Sequence, residues 1–238
     1  MKNTDNTKTA YLFHEAKYSG LSDDAVAIIR YFLNTENLYL SAARSITTKL
    51  ENLNDEFKYT KDRNPIHQIA TRIKTPQSII NKMVKRGYEF SVESARKNLS
   101  DIAGVRVITC YIDDIYTIAD LLTSQDDIEL IRTIDYLENP KKNGYRSLHL
   151  VVKIPVFLSD KTEHVKVEIQ IRTIAMDFWA SLEHELSYKL GEGKSEAVSE
   201  ELKDCADVIA ETDRRMQRLH NMEFESDARR RNGHNTDH

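Results

Sequence analysis

Four short stretches hold side chains that could handle phosphorylated ligands, at spacings that bring them together. In "RIKTPQSIINK" (residues 72–82) Ser78 and Lys82 stand four apart on a helix capped by Thr75 and started by Pro76. Arg72 and Lys74 lie just before that helix, and share a side if the approach is extended. Free backbone N–H groups and the helix dipole favour an anion there, so four donors converge on a phosphate-type ligand. The plainer alternative is a solvated basic turn. In "SDIAGVRVITC" Asp101 stands at the threshold of an apolar strand, Gly104 allows close backbone approach, and Arg106 is the sole charge among apolar neighbours. Asp101 either holds a hard divalent cation such as Mg²⁺, which needs only one or two carboxylates besides phosphates, or closes a turn.

In "NPKKNGYRSLHL" the pair Asn143-Gly144 predicts a tight turn leading Tyr145 into a strand. Period two then puts Tyr145, Ser147 and His149 on one face. Tyr145 could stack on a purine base, and His149 and Lys141 could reach sugar or phosphate. In "VKVEIQIRT" alternation sends Val165, Val167, Ile169 and Ile171 one way and Lys166, Glu168, Gln170 and Arg172 the other. That polar row faces water unless a neighbouring strand brings it beside Tyr145 and His149. On the next helix Asp177, His184 and Tyr188 fall on the polar side, with Glu183 near its boundary, where a carboxylate could accept the N1–H and N2–H₂ donors of guanine.

These residues need a scaffold, and the pattern supplies one. Apolar positions from Ser22 to about Leu53 follow helical spacing, as one long helix or two with a break near Asn34. "TPQSIINKMVKRG" predicts a second helix, ended by Gly87. "AGVRVITCYI", "IELIRTIDYL", "YRSLHLVVKIPVF" and "HVKVEIQIRT" read as strands. The helical "DDIYTIADLLTSQ" lies between the first two, giving a β-α-β unit followed by antiparallel hairpins. The fold class is therefore α/β (α+β type), a mixed sheet flanked by helices. "IAMDFWASLEHELSYKL" predicts a helix whose apolar face is Ala175, Phe178, Trp179, Leu182 and Leu186, ended by Gly191 and Gly193. Beyond it Val198, Leu202, Cys205, Ile209, Thr212, Met216 and Leu219 alternate steps of four and three, a heptad seam that seeks either the chain's own core or another subunit.

The expected organisation is an N-terminal helical segment (1–57), a central domain (58–190), a C-terminal oligomerisation helix (191–225) and a disordered tail (226–238). Cys110 and Cys205 lack disulfide or metal spacing and the start lacks an apolar leader, so a cytoplasmic protein is expected. No apolar run approaches the roughly 20 residues that span a bilayer. A net charge of −4 argues against a surface built for DNA, while Arg229–Arg231 leaves RNA binding open. Residues 58–97 hold ten Lys/Arg against three Asp/Glu, and 98–138 hold two against nine. Such a basic segment followed by an acidic one suits phosphate and metal held together, or two solvated faces of opposite sign. No P-loop, dinucleotide fingerprint or zinc spacing occurs. His14, His67, His164, His220, His234 and His238 have no constellation around them.

The blocks "RIKTPQSIINK", "DIAGVRV", "NGYRSLH" and "VEIQIRT", with "MDFWASLEHELSYK", resemble the synthetase domain of the RelA/SpoT homologue superfamily, most closely its small alarmone synthetases of the RelP type. The resemblance spans about residues 60–190. It implies a nucleotidyltransferase-like fold and a GTP diphosphokinase: transfer of the β,γ-pyrophosphate of ATP to the 3′-OH of GTP or GDP, releasing AMP and making (p)ppGpp, the stringent-response alarmones. It also implies a homotetramer joined partly through terminal helices. Carried over, Arg72 and Arg106 flank adenine, Lys74, Ser78 and Lys82 hold the ATP phosphates, and Asp101 binds Mg²⁺ with help from Glu168. Tyr145 stacks on guanine, Lys141, His149 and Gln170 surround the acceptor, and Glu168 orients and polarises its 3′-OH. One departure is Ile134, where many members carry a basic residue. With no room for a hydrolase domain and no His-Asp pair, synthesis without degradation is expected. The rival readings are a non-enzymatic nucleotide or RNA sensor and a nucleotidyltransferase that releases pyrophosphate.

Overall fold

The computed structural model describes residues 22–60, 63–190 and 196–233. His14, His234, His238, Gly191 and Gly193 lie outside the described residues. Among those described, helix α1 (Asp23–Thr60) is unbroken through Asn34. It is followed by strand β1 (Ile66–Ile73) and helix α2 (Pro76–Arg86). The Thr75 side chain accepts from Ser78 N–H at the start of α2, and Gly87 ends it at φ 64° with its N–H returned to the Met83 and Val84 carbonyls, as the sequence predicts. Then come α3 (Val92–Asn98), β2 (Ala103–Thr109), α4 (Ile112–Thr123), β3 (Glu129–Asp135), β4 (Leu148–Phe157), β5 (Thr162–Thr173), α5 (Ile174–Leu190) and α6 (Glu196–Gly233).

The five strands form one mixed sheet in the order β1-β2-β5-β4-β3. β2 and β5 run parallel, and β1–β2, β4–β5 and β3–β4 pair antiparallel. The β-α-β reading of β2, α4 and β3 is right in direction, but β5 and β4 are inserted between the two strands. Two elements escape the sequence reading. β1 is an edge strand with Ile66 alone buried, so "IHQIATRI" carries no clean alternation. α3 is only seven residues, and its signal is the Ser91 cap accepting from Ser94 N–H.

Register divides the sheet into two faces. Val105, Val107, Leu150, Val152, Val167, Ile169 and Ile171 form the buried one. Ile28, Ile46 and Leu50 of α1 and Ile115, Ile118 and Leu122 of α4 join the same core, each fully buried and each stabilising by about 1.5–3 kcal/mol. On the opposite face one cross-strand row reads Ala70, Arg106, Gln170, His149 and Ile134, and the next Arg72, Gly104, Glu168 and Val151.

Two helical expectations change. Among the described side chains of α5 only Met176 and Trp179 are buried, whereas Phe178, Leu182 and Leu186 are 59%, 44% and 41% exposed. They continue from Ile174 as an outward stripe at steps of four, while the Trp179 indole donates to the Leu202 carbonyl of α6. On α6 the heptad seam is not the packed face: Met216 and Leu219 stay exposed, and Ala206, Ala210, Asp213 and Gln217 are buried instead. Hydrogen bonds make this polar choice workable. Asp213 accepts from Thr173, and Gln217 both accepts from Asp113 N–H and donates to the Asp113 carboxylate. His220, without a role in the sequence reading, stacks on Tyr111 and accepts from Arg63, which also forks onto Asp114. α6 continues to Gly233, past the expected start of the tail.

Burial pushes the Asp213 carboxyl above the usual carboxylate range, partly offset by the Thr173 bond. A folded-state value above the unfolded one gives stability that is present at low pH and lost as pH rises through the raised value. Asp213→Asn keeps an acceptor for Thr173 without the buried charge. It is expected to melt above the wild type at about pH 8, with the gap closing toward about pH 4, as followed by circular dichroism.

Candidate active site

β2 and β5 set the geometry. Parallel pairing opposes Gly104 to Glu168 and Arg106 to Gln170, and Asp101 lies just before β2. Gly104 sits close under this row: an added Cβ would meet the Arg72 and Glu168 carbonyls at 3.5 and 3.8 Å. Arg72, Lys74, Asp101, Arg106, Glu168 and Gln170 line one cleft of about 360 Å³. The extended β1 delivers Arg72, and Lys74 N–H is tied to the Ile102 carbonyl, which holds the two basic residues beside Asp101.

Asp101 Oδ2 receives both lysines, Lys74 Nζ at 2.9 Å and Lys82 Nζ at 2.6 Å. Burial pushes this carboxyl up, but the bonds from Lys82 and Lys74 outweigh it and hold the group below the usual carboxylate range. Its Oδ1 is buried with no hydrogen-bond partner among the described residues. An acceptor so placed fits a cation held by one or two carboxylates plus ligand phosphates. No group of three or more His, Cys, Asp or Glu side chains among the described residues could hold a metal unaided.

Glu168 is oriented from two sides. Gln170 Nε2 donates to its Oε2 at 2.9 Å, and His149 Nδ1 lies 3.6 Å from its Oε1. Burial raises the Glu168 carboxyl, and His149 with Gln170 brings it below its ordinary value despite the nearby Asp101 charge. Gln170 is itself fixed: Arg172 donates to its Oε1 at 2.8 Å, which leaves its amide N–H₂ for Glu168. The polar row Glu168, Gln170 and Arg172 is thus one hydrogen-bonded chain along β5.

Beside this carboxylate a second set of groups gathers. Tyr145 Oη is 2.8 Å from His149 Nε2, and Lys141 Nζ lies 4.5 Å from the Tyr145 ring centre and 4.7 Å from that of Tyr136. Burial lowers the Lys141 ammonium and raises the Tyr145 phenol. The expected alternation over 145–149 is corrected in part: β4 begins only at Leu148, and the buried Ser147 donates to the Ile171 carbonyl, bracing the sheet while its hydroxyl also bears on the Tyr145 phenol. Ser78 lies outside the cleft lining, its hydroxyl 2.9 Å from the Thr75 cap. Asp177 Oδ1 lies 3.4 Å from Arg106 and 3.5 Å from Arg172, which places it between the two groups.

Sequence reading missed Tyr136 and left Arg172 without a partner. Tyr136 follows β3 directly, and its place became visible only through edge contacts with Tyr145 and His149. Arg172, 3% exposed, lies 5.5 Å from the Tyr145 ring centre while holding Gln170. Its alternation with Glu168 and Gln170 was the available signal. Lys166, on the same row, donates instead to the Arg96 and Lys97 carbonyls at the end of α3.

A basic cleft, two half-buried carboxylates and an aromatic-cationic cluster lie side by side on this face of the sheet. The chain belongs to the RelA/SpoT family: the region found in RelA/SpoT proteins matches residues 71–193. It is similar to the GTP pyrophosphokinase YwaC of Bacillus subtilis, 39% identical over 194 residues, covering 82% of this chain and 92% of that protein. Among solved structures it resembles small alarmone synthetase 2 of Bacillus subtilis, with TM-score 0.72, 39% identity and coverage of 79% of this chain and 97% of the other. It also resembles small alarmone synthetase 1 of the same organism bound to its product pppGpp, with TM-score 0.73, 32% identity and coverage of 77% and 93%.

Removing one lysine should leave the burial of Asp101 less opposed. Lys82→Met is expected to raise the Asp101 carboxyl from its depressed position, which carboxyl-carbon NMR titration reads directly. An unchanged titration would contradict the two-lysine account of its charge.

Proposed function

We propose that this chain is a GTP diphosphokinase that transfers the β,γ-pyrophosphate of ATP to the 3′-OH of GTP or GDP, releasing AMP and forming (p)ppGpp for stringent-response signalling. The observation that carries this reading is the position of Glu168. It lies in the row that joins the basic cleft to the Tyr145 pocket, so a donor on one side and an acceptor hydroxyl on the other meet at its carboxylate.

In this reading Arg72 and Arg106 hold the adenine, and Lys74, Lys82 and Ser78 take the triphosphate. Lys74 and Lys82 exchange part of their contact with Asp101 for phosphate oxygens. Tyr145 stacks on guanine over Lys141, and His149 and Gln170 frame the ribose. Ile134, beside His149 in the sheet, gives this end of the pocket an apolar wall where many relatives place a cation. Asp177, through Arg106 and Arg172, ties the two nucleotide pockets together and is available to the base.

Glu168 accepts a hydrogen bond from the 3′-OH and aims its oxygen at the β-phosphorus. The O3′–Pβ bond forms as the bond from Pβ to the α,β-bridging oxygen breaks, AMP leaves with that oxygen, and the hydroxyl proton passes to Glu168. Its lowered pKa makes it a weak base, which suits late proton transfer in a loose transition state, where positioning and charge neutralisation carry most of the acceleration. Asp101 and Glu168 would hold Mg²⁺, which supplies charge neutralisation on the phosphates.

The active form in this proposal is a cytoplasmic homotetramer, assembled partly through terminal helices. The outward positions of α5 and α6, Phe178, Leu182, Met216 and Leu219, support it. No helix among the described residues is long and apolar enough to cross a membrane.

Incubation with ATP, GTP and Mg²⁺ is expected to yield AMP and a 3′-pyrophosphorylated guanosine nucleotide in equal amounts. Release of pyrophosphate instead would indicate a different nucleotidyltransferase. Glu168→Gln should retain nucleotide binding and lose turnover by about 10²-fold or more. Light scattering after size exclusion should show Met216→Glu/Leu219→Glu shifted toward smaller species, and an unchanged mass would remove this face from the assembly.

A further inference from the structure

The loop that carries Lys141 and Tyr145 joins β3 to β4 without regular structure of its own, and its back rests on α6. Gly144 is buried at φ 87°, and a Cβ there would lie 2.5 Å from the Ala206 Cβ and 3.6 Å from Lys203 Cα. Backbone therefore meets helix with no side chain between them, which glycine alone permits at this φ. The neighbouring residue fastens the contact. Arg146 Nη1 donates to the Gly144 carbonyl at 3.0 Å and to the Ala206 carbonyl at 3.3 Å, and its Nη2 donates to Asp207 at 2.9 Å. One guanidinium thus joins the loop's backbone to a backbone and a side-chain acceptor of α6.

α6 is in turn held to the body away from this point. Trp179 donates to the Leu202 carbonyl, Thr173 donates to Asp213, and Gln217 brackets Asp113 at the start of α4. Inside the loop, Gly144 N–H returns to the Lys141 carbonyl, Lys141 N–H to the Tyr145 carbonyl, and Tyr145 N–H to the Asn143 side chain. Fixing the backbone at 144–146 therefore fixes Lys141 and Tyr145, whose side chains make the acceptor pocket. The family match ends at residue 193, before α6 begins.

We propose that α6 is the positioning wall of the acceptor site, with Arg146 and Asp207 as positioning residues that preorganise Lys141 and Tyr145 for the guanine nucleotide. The inference rests on the pyrophosphokinase reading. Its physical basis is that an ordered loop spares the nucleotide the cost of ordering it, so loosening the clamp weakens acceptor binding more than it slows chemistry. The donor cleft, lined from β1, β2 and β5, takes no residue from this loop or from α6.

Asp207 suits the test, since its side chain is 49% exposed and touches no proposed substrate position. Asp207→Ala is expected to raise the KM for GTP or GDP by about fivefold, with the KM for ATP and kcat at saturating acceptor within about twofold of wild type. Hydrogen exchange of the backbone at 141–147 should quicken in this variant, while exchange in β2 and β5 stays unchanged. Asp207→Glu, which can still reach Arg146, should recover most of the loss, and Arg146→Met, which removes all three bonds, should exceed it. Acceptor KM and loop exchange both unchanged in Asp207→Ala, or acceptor and ATP KM rising together, would overturn the inference. A wild-type protein that forms no AMP would instead overturn the pyrophosphokinase reading on which it stands.

Discussion

The parallel pairing of β2 with β5 is the constraint on which the rest of the site depends. It opposes Gly104 to Glu168 and Arg106 to Gln170 and brings the threshold residue Asp101 to the same end. A one-residue slip would turn Glu168 and Gln170 into the core and expose Ile169 and Ile171 to the cleft. The core forbids it: Val167, Ile169 and Ile171 are fully buried and interlock with Val105, Val107, Leu150 and Val152. The apolar face, filled by α1 and α4, therefore holds the polar face in register. Stability and chemistry here are two sides of one strand.

On the polar face, charge is balanced before any ligand arrives. Asp101 is neutralised by Lys74 and Lys82, Asp177 by Arg106 and Arg172, and Glu168 by hydrogen bonds from Gln170 and its neighbour His149. Buried charges at such positions are tolerated because each has a partner, and the same partners orient them. Arg172 shows the economy of the arrangement. By fixing the Gln170 amide it sets which atom Glu168 meets, and by lying under Tyr145 it supports the neighbouring pocket. In the proposed reaction a triphosphate entering this field would meet lysines already in place.

Much of this was legible before the fold was known, for reasons that differ by residue. Thr75, Pro76 and Gly87 speak through local backbone preferences, so α2 reads directly. Strict alternation exposes the two faces of β5, and the hairpin to β4 brings Glu168 near His149. The edge strand β1 stayed hidden because it buries little, and α3 because seven residues carry too short a period. Tyr145 reached its place through the Asn143-Gly144 turn and the clamp on α6, not through strand alternation, while Ser147 was drawn into the sheet. The face chosen by α6 was illegible for a different reason: Asp213 and Gln217 look like surface residues until their partners Thr173 and Asp113 are known. Tertiary hydrogen bonds override a heptad of modest apolar residues, and they leave Met216 and Leu219 outward.

The central claim is that Asp101 and Glu168, set side by side by the β2–β5 register, serve one cation and one acceptor hydroxyl between two nucleotides. Its most direct test is electron paramagnetic resonance of Mn²⁺ added with a non-hydrolysable ATP analogue. The expected result is Mn²⁺ bound together with the analogue in the wild-type protein, its affinity falling by about tenfold or more in Asp101→Asn while the analogue still binds. Mn²⁺ binding unchanged in Asp101→Asn would contradict the claim.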